Sequence, residues 1–215
     1  MILYSPINGE VLTDIFKYMP RHCFLMTQLG GEISPRTIEI RNSLSEELKK
    51  YKIELIDANA QTTGGDFLDK IWKQILGVPI GIAILTREMS QTTVANIYYE
   101  LGLFDSLGKE TIVIKTEDFD IPSDSIRTEY IKYNYIFNEK LREFINNVFE
   151  RKVHYTDMAD ILSNDPILSF DYIRRAYLIS GEQSLKNKAE DIFKSNKNSF
   201  NDHDAKFARG FLISK

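Results

Sequence analysis

One cysteine, Cys23, and one tryptophan, Trp72, stand in a chain of 215 residues. A lone thiol excludes an internal disulfide framework and a cysteine-built zinc site, and it fits a reducing compartment. Histidine is nearly as scarce. His22, His154 and His203 lie far apart, with no carboxylate or second histidine at ligand spacing, so no metal centre and no cofactor are expected. The longest apolar stretch, 78–85, falls well short of the roughly 18 residues that span a bilayer. The first residues, Met1 to Pro6, lack a basic region and a cleavage signature, so a cytoplasmic protein without a membrane partner is expected. Positive charge is not in excess either: 27 Lys and Arg against 31 Asp and Glu leave a net charge of −4, which argues against a nucleic-acid partner. The chain also has no G-x-G-x-x-G, Walker A or G-x-S-x-G pattern.

What is present suffices for a core. Apolar residues make up 43% and charged residues 27%, a balance that suits one compact domain with an appendage rather than a disordered chain. A short helix is expected from Glu10 to Tyr18, followed by an apolar strand at Cys23–Met26. Ser34 and Pro35 pair an N-cap with a first-turn proline, and Ile38, Leu44, Leu48 and Tyr51 recur at roughly helical spacing. The unit then repeats: a strand at Ile53–Asp57, a helix through Phe67, Leu68, Ile71, Trp72, Ile75 and Leu76, and a continuous apolar strand at Ile80–Leu85. A helix from Thr92 to Leu107, a strand at Thr111–Ile114 and a last strand at Tyr130–Tyr133 complete the series. Alternating strands and helices predict an α/β fold, an open parallel five-stranded sheet with helices on both faces. From Phe137 onward only helices are expected: one continuing toward Leu162, then Ile167–Ile179 and Leu185–Phe193. The expected organisation is an N-terminal extension (1–20), an α/β domain (21–150) and an all-helical C-terminal extension (151–215).

Ligands in open α/β sheets bind beyond the carboxyl ends of the strands. That rule selects three loops, 27–34, 57–66 and 86–96. Their candidate substrate-binding residues are Thr27, Gln28, Gly30, Gly31, Asp57, Gly64, Gly65, Asp66 and Thr86, small polar groups suited to phosphate and sugar hydroxyls. The helix beginning at Pro35 adds free backbone N–H groups. Asn96 and Glu100 stand four apart, on one helix face, bordering the apolar side made by Val94, Ile97, Tyr98, Leu101 and Phe104. A carboxylate at such a border is partly desolvated, which raises its pKa.

Several runs carry a resemblance. They are Asn96 to Leu103 with its Asn-x-x-x-Glu-Leu-Gly order, Leu107-Gly108-Lys109 leading into a strand, Pro122-Ser123-Asp124, and Glu129 to Tyr133. Upstream, Phe67, Asp69, Ile71 and Ile75 precede an apolar strand in the same manner. Over about residues 21–150 the chain resembles the TIR-like and nucleoside 2-deoxyribosyltransferase-like superfamily. The resemblance implies a flavodoxin-like (TIR-like) sheet and an enzyme of N-glycosidic chemistry. It makes Glu100 the catalytic carboxylate and Asn96 the residue that orients it or binds sugar. The leading substrate is NAD⁺ or a related nucleotide, in bacterial antiviral defence. Deoxyribosyl transfer between bases and non-catalytic nucleotide sensing stand as alternatives. The run from Thr27 to Gly31 departs from the family's usual openings, and the loop 86–93 is longer than its compact form.

The remaining candidates have structural readings. Trp72 sits at helical spacing with Leu68 and Ile75, as a core residue would. Asp66 and Asp69 also suit helix-start partners. For the tail two readings stand: its apolar positions wrap the sheet, or they form a surface for a second copy or a protein partner, as assemblies of the resembled family do.

Overall fold

The computed structural model of the chain describes residues 5–6, 9–11, 16–58, 67–120 and 130–214. These residues form two compact units. One holds the described residues within 22–64 and 79–147, the other those within 1–21, 65–78 and 148–215.

The first unit is built on five strands: β1 (His22–Met26), β2 (Glu54–Asp57), β3 (Ile80–Leu85), β4 (Glu110–Lys115) and β5 (Tyr130–Lys132). Their order is β2-β1-β3-β4-β5 and every pairing is parallel, the flavodoxin-like arrangement. All six residues of β3 are buried, as the uninterrupted run Ile80–Leu85 predicts for a central strand. Two helices, α1 (Pro35–Lys50) and α3 (Gln91–Ser106), pack on this sheet. The connection through α1 moves from β1 to one side and that through α3 from β3 to the other. Right-handed crossovers therefore set the two helices on opposite faces.

Local chemistry explains where these helices begin. Ser34 accepts from the Thr37 N–H, with Pro35 in the first turn; Ser90 accepts from the Thr93 N–H in the same way. Thr37, Ile40, Leu44, Glu47 and Leu48 make the buried face of α1. Ile38 was expected on that face but is 46% exposed, because two positions from Ile40 on a helix is most of the way to the opposite side. Phe104 of α3 fills the space over Gly81, where an added methyl would stand 3.0 Å from its ring, and packs on Phe24 with centroids 6.0 Å apart.

The second unit contains α2 (Phe67–Gly77), the later turns of α4 (Phe137–Ile161), α5 (Pro166–Ser180), α6 (Gln183–Ser195) and α7 (Asp202–Ile213). Phe67 and Leu68 are about half exposed, whereas Ile71, Trp72, Ile75 and Leu76 are buried. Phe211, fully buried, is the hub of an aromatic core. It meets Tyr18, Phe170 and Tyr177 edge to face at 5.2, 5.7 and 5.3 Å. Helix α7 lies within the stretch expected to be all-helical, although the sequence marks no separate helix there. Its apolar face is made of small residues, Ala205 and Ala208 beside Phe211, so its periodicity is faint, but Asn201 caps it by accepting from the Asp204 N–H at 2.8 Å. The described parts of the stretch expected as a short helix, 10–11 and 16–18, are not helical, and residues 12–15 lie outside the described set. No helix of the described residues is long and apolar enough to cross a membrane.

Candidate functional site

Three expected residues come together at the carboxyl edge of the sheet. Asp57 ends β2 opposite Leu25, Thr27 follows the end of β1, and Thr86 follows the end of β3. All three are buried. Asp57 is held by the Arg41 guanidinium of α1 at 2.6 Å. Thr86 shares a 3.3 Å hydrogen bond with the Thr37 hydroxyl, which joins the first turn of α1 to the end of β3. The Thr27 hydroxyl oxygen is buried without a hydrogen-bond partner, a group that in a folded interior ordinarily finds one.

The loop after β1 is closed by its own amide. Gln28 donates from Nε2 to the carbonyls of Gly30, at 2.9 Å, and Glu32, at 3.3 Å. Gly31 has φ +73°, where a side chain would be strained, and Gly30 lies in open space. Gly64, Gly65 and Asp66 lie outside the described residues, as do Pro122, Ser123, Asp124 and Glu129.

The second element is α3. Ile97, Leu101 and Phe104 are its buried line, and Glu100 and Asn96 lie along one flank. Asn96 is exposed, while Glu100 is partly buried. Burial raises the Glu100 pKa to about 7. Burial is the one cause of that shift, and no hydrogen bond or neighbouring charge among the described residues offsets the loss of water around the carboxylate. Glu100 stands one helical turn, about 6 Å, from Phe104, whereas the strand from Gly81 to Thr86 is about 16 Å long. Glu100 is thus at mid-height on the sheet, with Asn96 one turn nearer the carboxyl edge. Among the described residues no hydrogen bond or ion pair joins either of them to Thr27, Asp57 or Thr86.

Other polar side chains at this edge were not singled out in the sequence. Arg36 stands beside Thr37 and Arg87 beside Thr86, so the Thr37–Thr86 bond brings their backbones to the same part of the edge. The Arg36 guanidinium lies 4.7 Å from the centre of the Tyr133 ring and pairs with Glu39 at 2.9 Å. The Tyr133 hydroxyl donates to Glu39 and meets Ser43 at 2.9 Å. β4 ends beside β3, with the Thr116 N–H on the Leu85 carbonyl at 3.1 Å, and Asp118 follows two residues later. The neighbouring Thr116 hydroxyl, and the charges of Arg87 and Arg36, hold the Asp118 carboxyl below its ordinary pKa. The only signal in sequence was position: each arginine is adjacent to a threonine of the edge.

No protein-family model matches the chain, and no curated protein matches it. Among solved structures, it is similar to a 2-deoxyribosyltransferase from the psychrotolerant bacterium Bacillus psychrosaccharolyticus. The two overlap over 55% of this chain and 89% of that one, with a TM-score of 0.42 and 12% sequence identity. Overlap that loose bears no weight, and the chemistry rests on the residues of this chain.

Proposed function

We propose that the chain is an enzyme that breaks the N-glycosidic bond of a nucleoside or nucleotide, with NAD⁺ the leading substrate and Glu100 the acting carboxylate. One observation carries the reading: a part-buried carboxylate without a hydrogen-bonded partner, on the helix whose Asn-x-x-x-Glu-Leu-Gly order gives the chain its resemblance. Cleavage of such a bond leaves positive charge on the anomeric carbon while the electron pair departs with the base. A poorly solvated carboxylate interacts with that charge more strongly than one in water, and most strongly as the charge develops. In hydrolysis water then supplies the new C–O bond, and Glu100 is the base that takes its proton. In transfer a second base takes the place of water.

By the same resemblance the setting is antiviral defence in the cytoplasm, and residues 151–215 supply the surface for a second copy or a protein partner. The test is a chromatographic assay of purified protein and its Glu100→Gln variant against NAD⁺, ATP and mixed deoxynucleosides. The expected result is release of nicotinamide or a free base by the wild type alone. Base exchange on deoxynucleosides with NAD⁺ untouched would make the enzyme a transferase. Absence of turnover with retained nucleotide binding would make it a sensor, and equal turnover by the variant would remove Glu100 from the mechanism.

A further inference from the structure

Besides Arg41, which Asp57 already holds, the carboxyl edge carries two guanidiniums that the glycosidic chemistry does not use. Arg36 is engaged with Glu39, but Arg87 forms no hydrogen bond or close ion pair among the described residues, and it is exposed. Both are anchored by what lies behind them. Thr37 is 2% exposed and Thr86 fully buried, and their mutual hydrogen bond fixes the backbone on either side. Thr27, also at this edge and 7% exposed, contributes a hydroxyl with no partner. The first turn of α1 presents its N-terminus here. The Thr37 N–H is taken by Ser34 and the Ile38 N–H by the Ser34 carbonyl, so the backbone donor still open in that turn is Arg36 itself. Asp118, also within reach of both arginines' charges, is an acceptor for a hydroxyl.

The geometry points to a phosphate-recognition site between Arg36 and Arg87, so that the substrate is a nucleotide or dinucleotide rather than a free nucleoside. The inference deepens the reading of the function given above. Guanidiniums match phosphate oxygens with paired hydrogen bonds that a neutral nucleoside does not offer. A nucleotide also carries sugar hydroxyls, which suit the carboxylate at the same edge, whereas a free phosphate would use the cationic side alone. Arg87 is the residue with most to gain, since among the described residues no acceptor is hydrogen-bonded to its guanidinium.

The test is calorimetric titration of the full chain with inorganic pyrophosphate, and with AMP against adenosine. The proteins compared are the wild type, Arg87→Ala, and Arg209→Ala as a control for net charge on an exposed position of α7. Pyrophosphate and AMP are expected to bind the wild type and Arg209→Ala alike and to bind Arg87→Ala about tenfold to a hundredfold more weakly, the usual effect of losing a charged hydrogen-bond donor. Adenosine is expected to bind more weakly than AMP to the wild type. Circular dichroism melting of Arg87→Ala establishes that the variant is folded. Failure of the wild type to bind either phosphate compound, equal loss in both variants, or equal affinity for AMP and adenosine would overturn the proposal. Glu100→Gln is expected to bind pyrophosphate normally. Phosphate binding that depends on Arg87 without any base release would therefore remove the glycosidic reading and leave this site standing.

Discussion

The Arg142 guanidinium of α4 donates to the Glu47 carboxylate of α1 at 2.7 Å, joining residues 95 apart in the chain. Glu47 is only 2% exposed, and Lys50 meets its other oxygen at 2.6 Å. A buried carboxylate is tolerable here because two cations reach it from the solvent side.

Glu47→Gln keeps the shape and removes the charge. It is expected to lower stability by roughly 1–2 kcal/mol. The Arg142 hydrogen bond, with Lys50 assisting, holds the Glu47 pKa below the ordinary value. Its share of stability is therefore complete above the unfolded-state pKa and lost as pH falls through the lowered one. Denaturant melts across the acid range should show a shallower decline in the variant than in the wild type.

Glu100 behaves in the opposite sense. Its folded pKa is raised to about 7 by burial, above the ordinary glutamate value of 4.5. The folded state then binds the proton more tightly than the unfolded state, so stability falls as pH rises between those two values and levels off above about 7. Glu100→Gln abolishes that fall. It is expected to be more stable than the wild type at pH 8 by roughly 1–3 kcal/mol, and nearly equal to it at pH 4. Melting temperatures of the two proteins measured from pH 4 to 8 check this, and parallel curves would show that Glu100 is well solvated.

Gly77, the last residue of α2, has a steric reason to be glycine. A Cβ there would lie 2.2 Å from the Lys17 carbonyl oxygen, and backbone cannot swing aside as a side chain can. The Met19 N–H also donates to the Gly77 carbonyl at 2.8 Å, so the segment before β1 is stitched to this helix end. Gly77→Ala is expected to cost about 2–3 kcal/mol or more, with protease cleavage within residues 16–21 as a second readout.

Asp171 carries two guanidiniums, Arg174 at 2.6 Å and Arg175 at 2.9 Å. Burial pushes its pKa up, but the two cations outweigh that and hold it at about 2. Asp171→Ala removes the carboxylate that both guanidiniums share and is expected to destabilise by roughly 2–4 kcal/mol. An urea melt indistinguishable from wild type would show that water already shares the pair's charge.

Much of the architecture was legible because local rules acted alone. Ser34 before Pro35 marks a helix start in any context, and Gly108, with φ +61°, marks the end of α3. The run Ile80–Leu85 announced a strand covered on both faces. Ile38 misled because an isoleucine two positions away, Ile40, satisfied the same helix, and only the sheet beneath α1 chose between them. α7 was not marked as a separate helix because alanines carry little hydropathy contrast.

The candidate site was legible in a different proportion. Thr27, Asp57 and Thr86 followed from the rule that ligands gather where strands end, and the tertiary structure adds what the rule does not contain: Asp57 is already bound to Arg41, and Gln28 is spent on its own loop. Arg36 and Arg87 are 51 positions apart by number, and their backbones come to the same part of the edge because Thr37 and Thr86 touch.

Local order sufficed for the class of the sheet-forming strands, for the helices α1 to α6 and for the carboxylate on the flank of α3, because periodicity and capping depend on neighbours within a few residues. The tertiary structure alone decided which buried charges are paired, how far Glu100 is desolvated, and which cations share the carboxyl edge. Those depend on distances between residues remote in the chain, and on water excluded by packing, neither of which is written in local order.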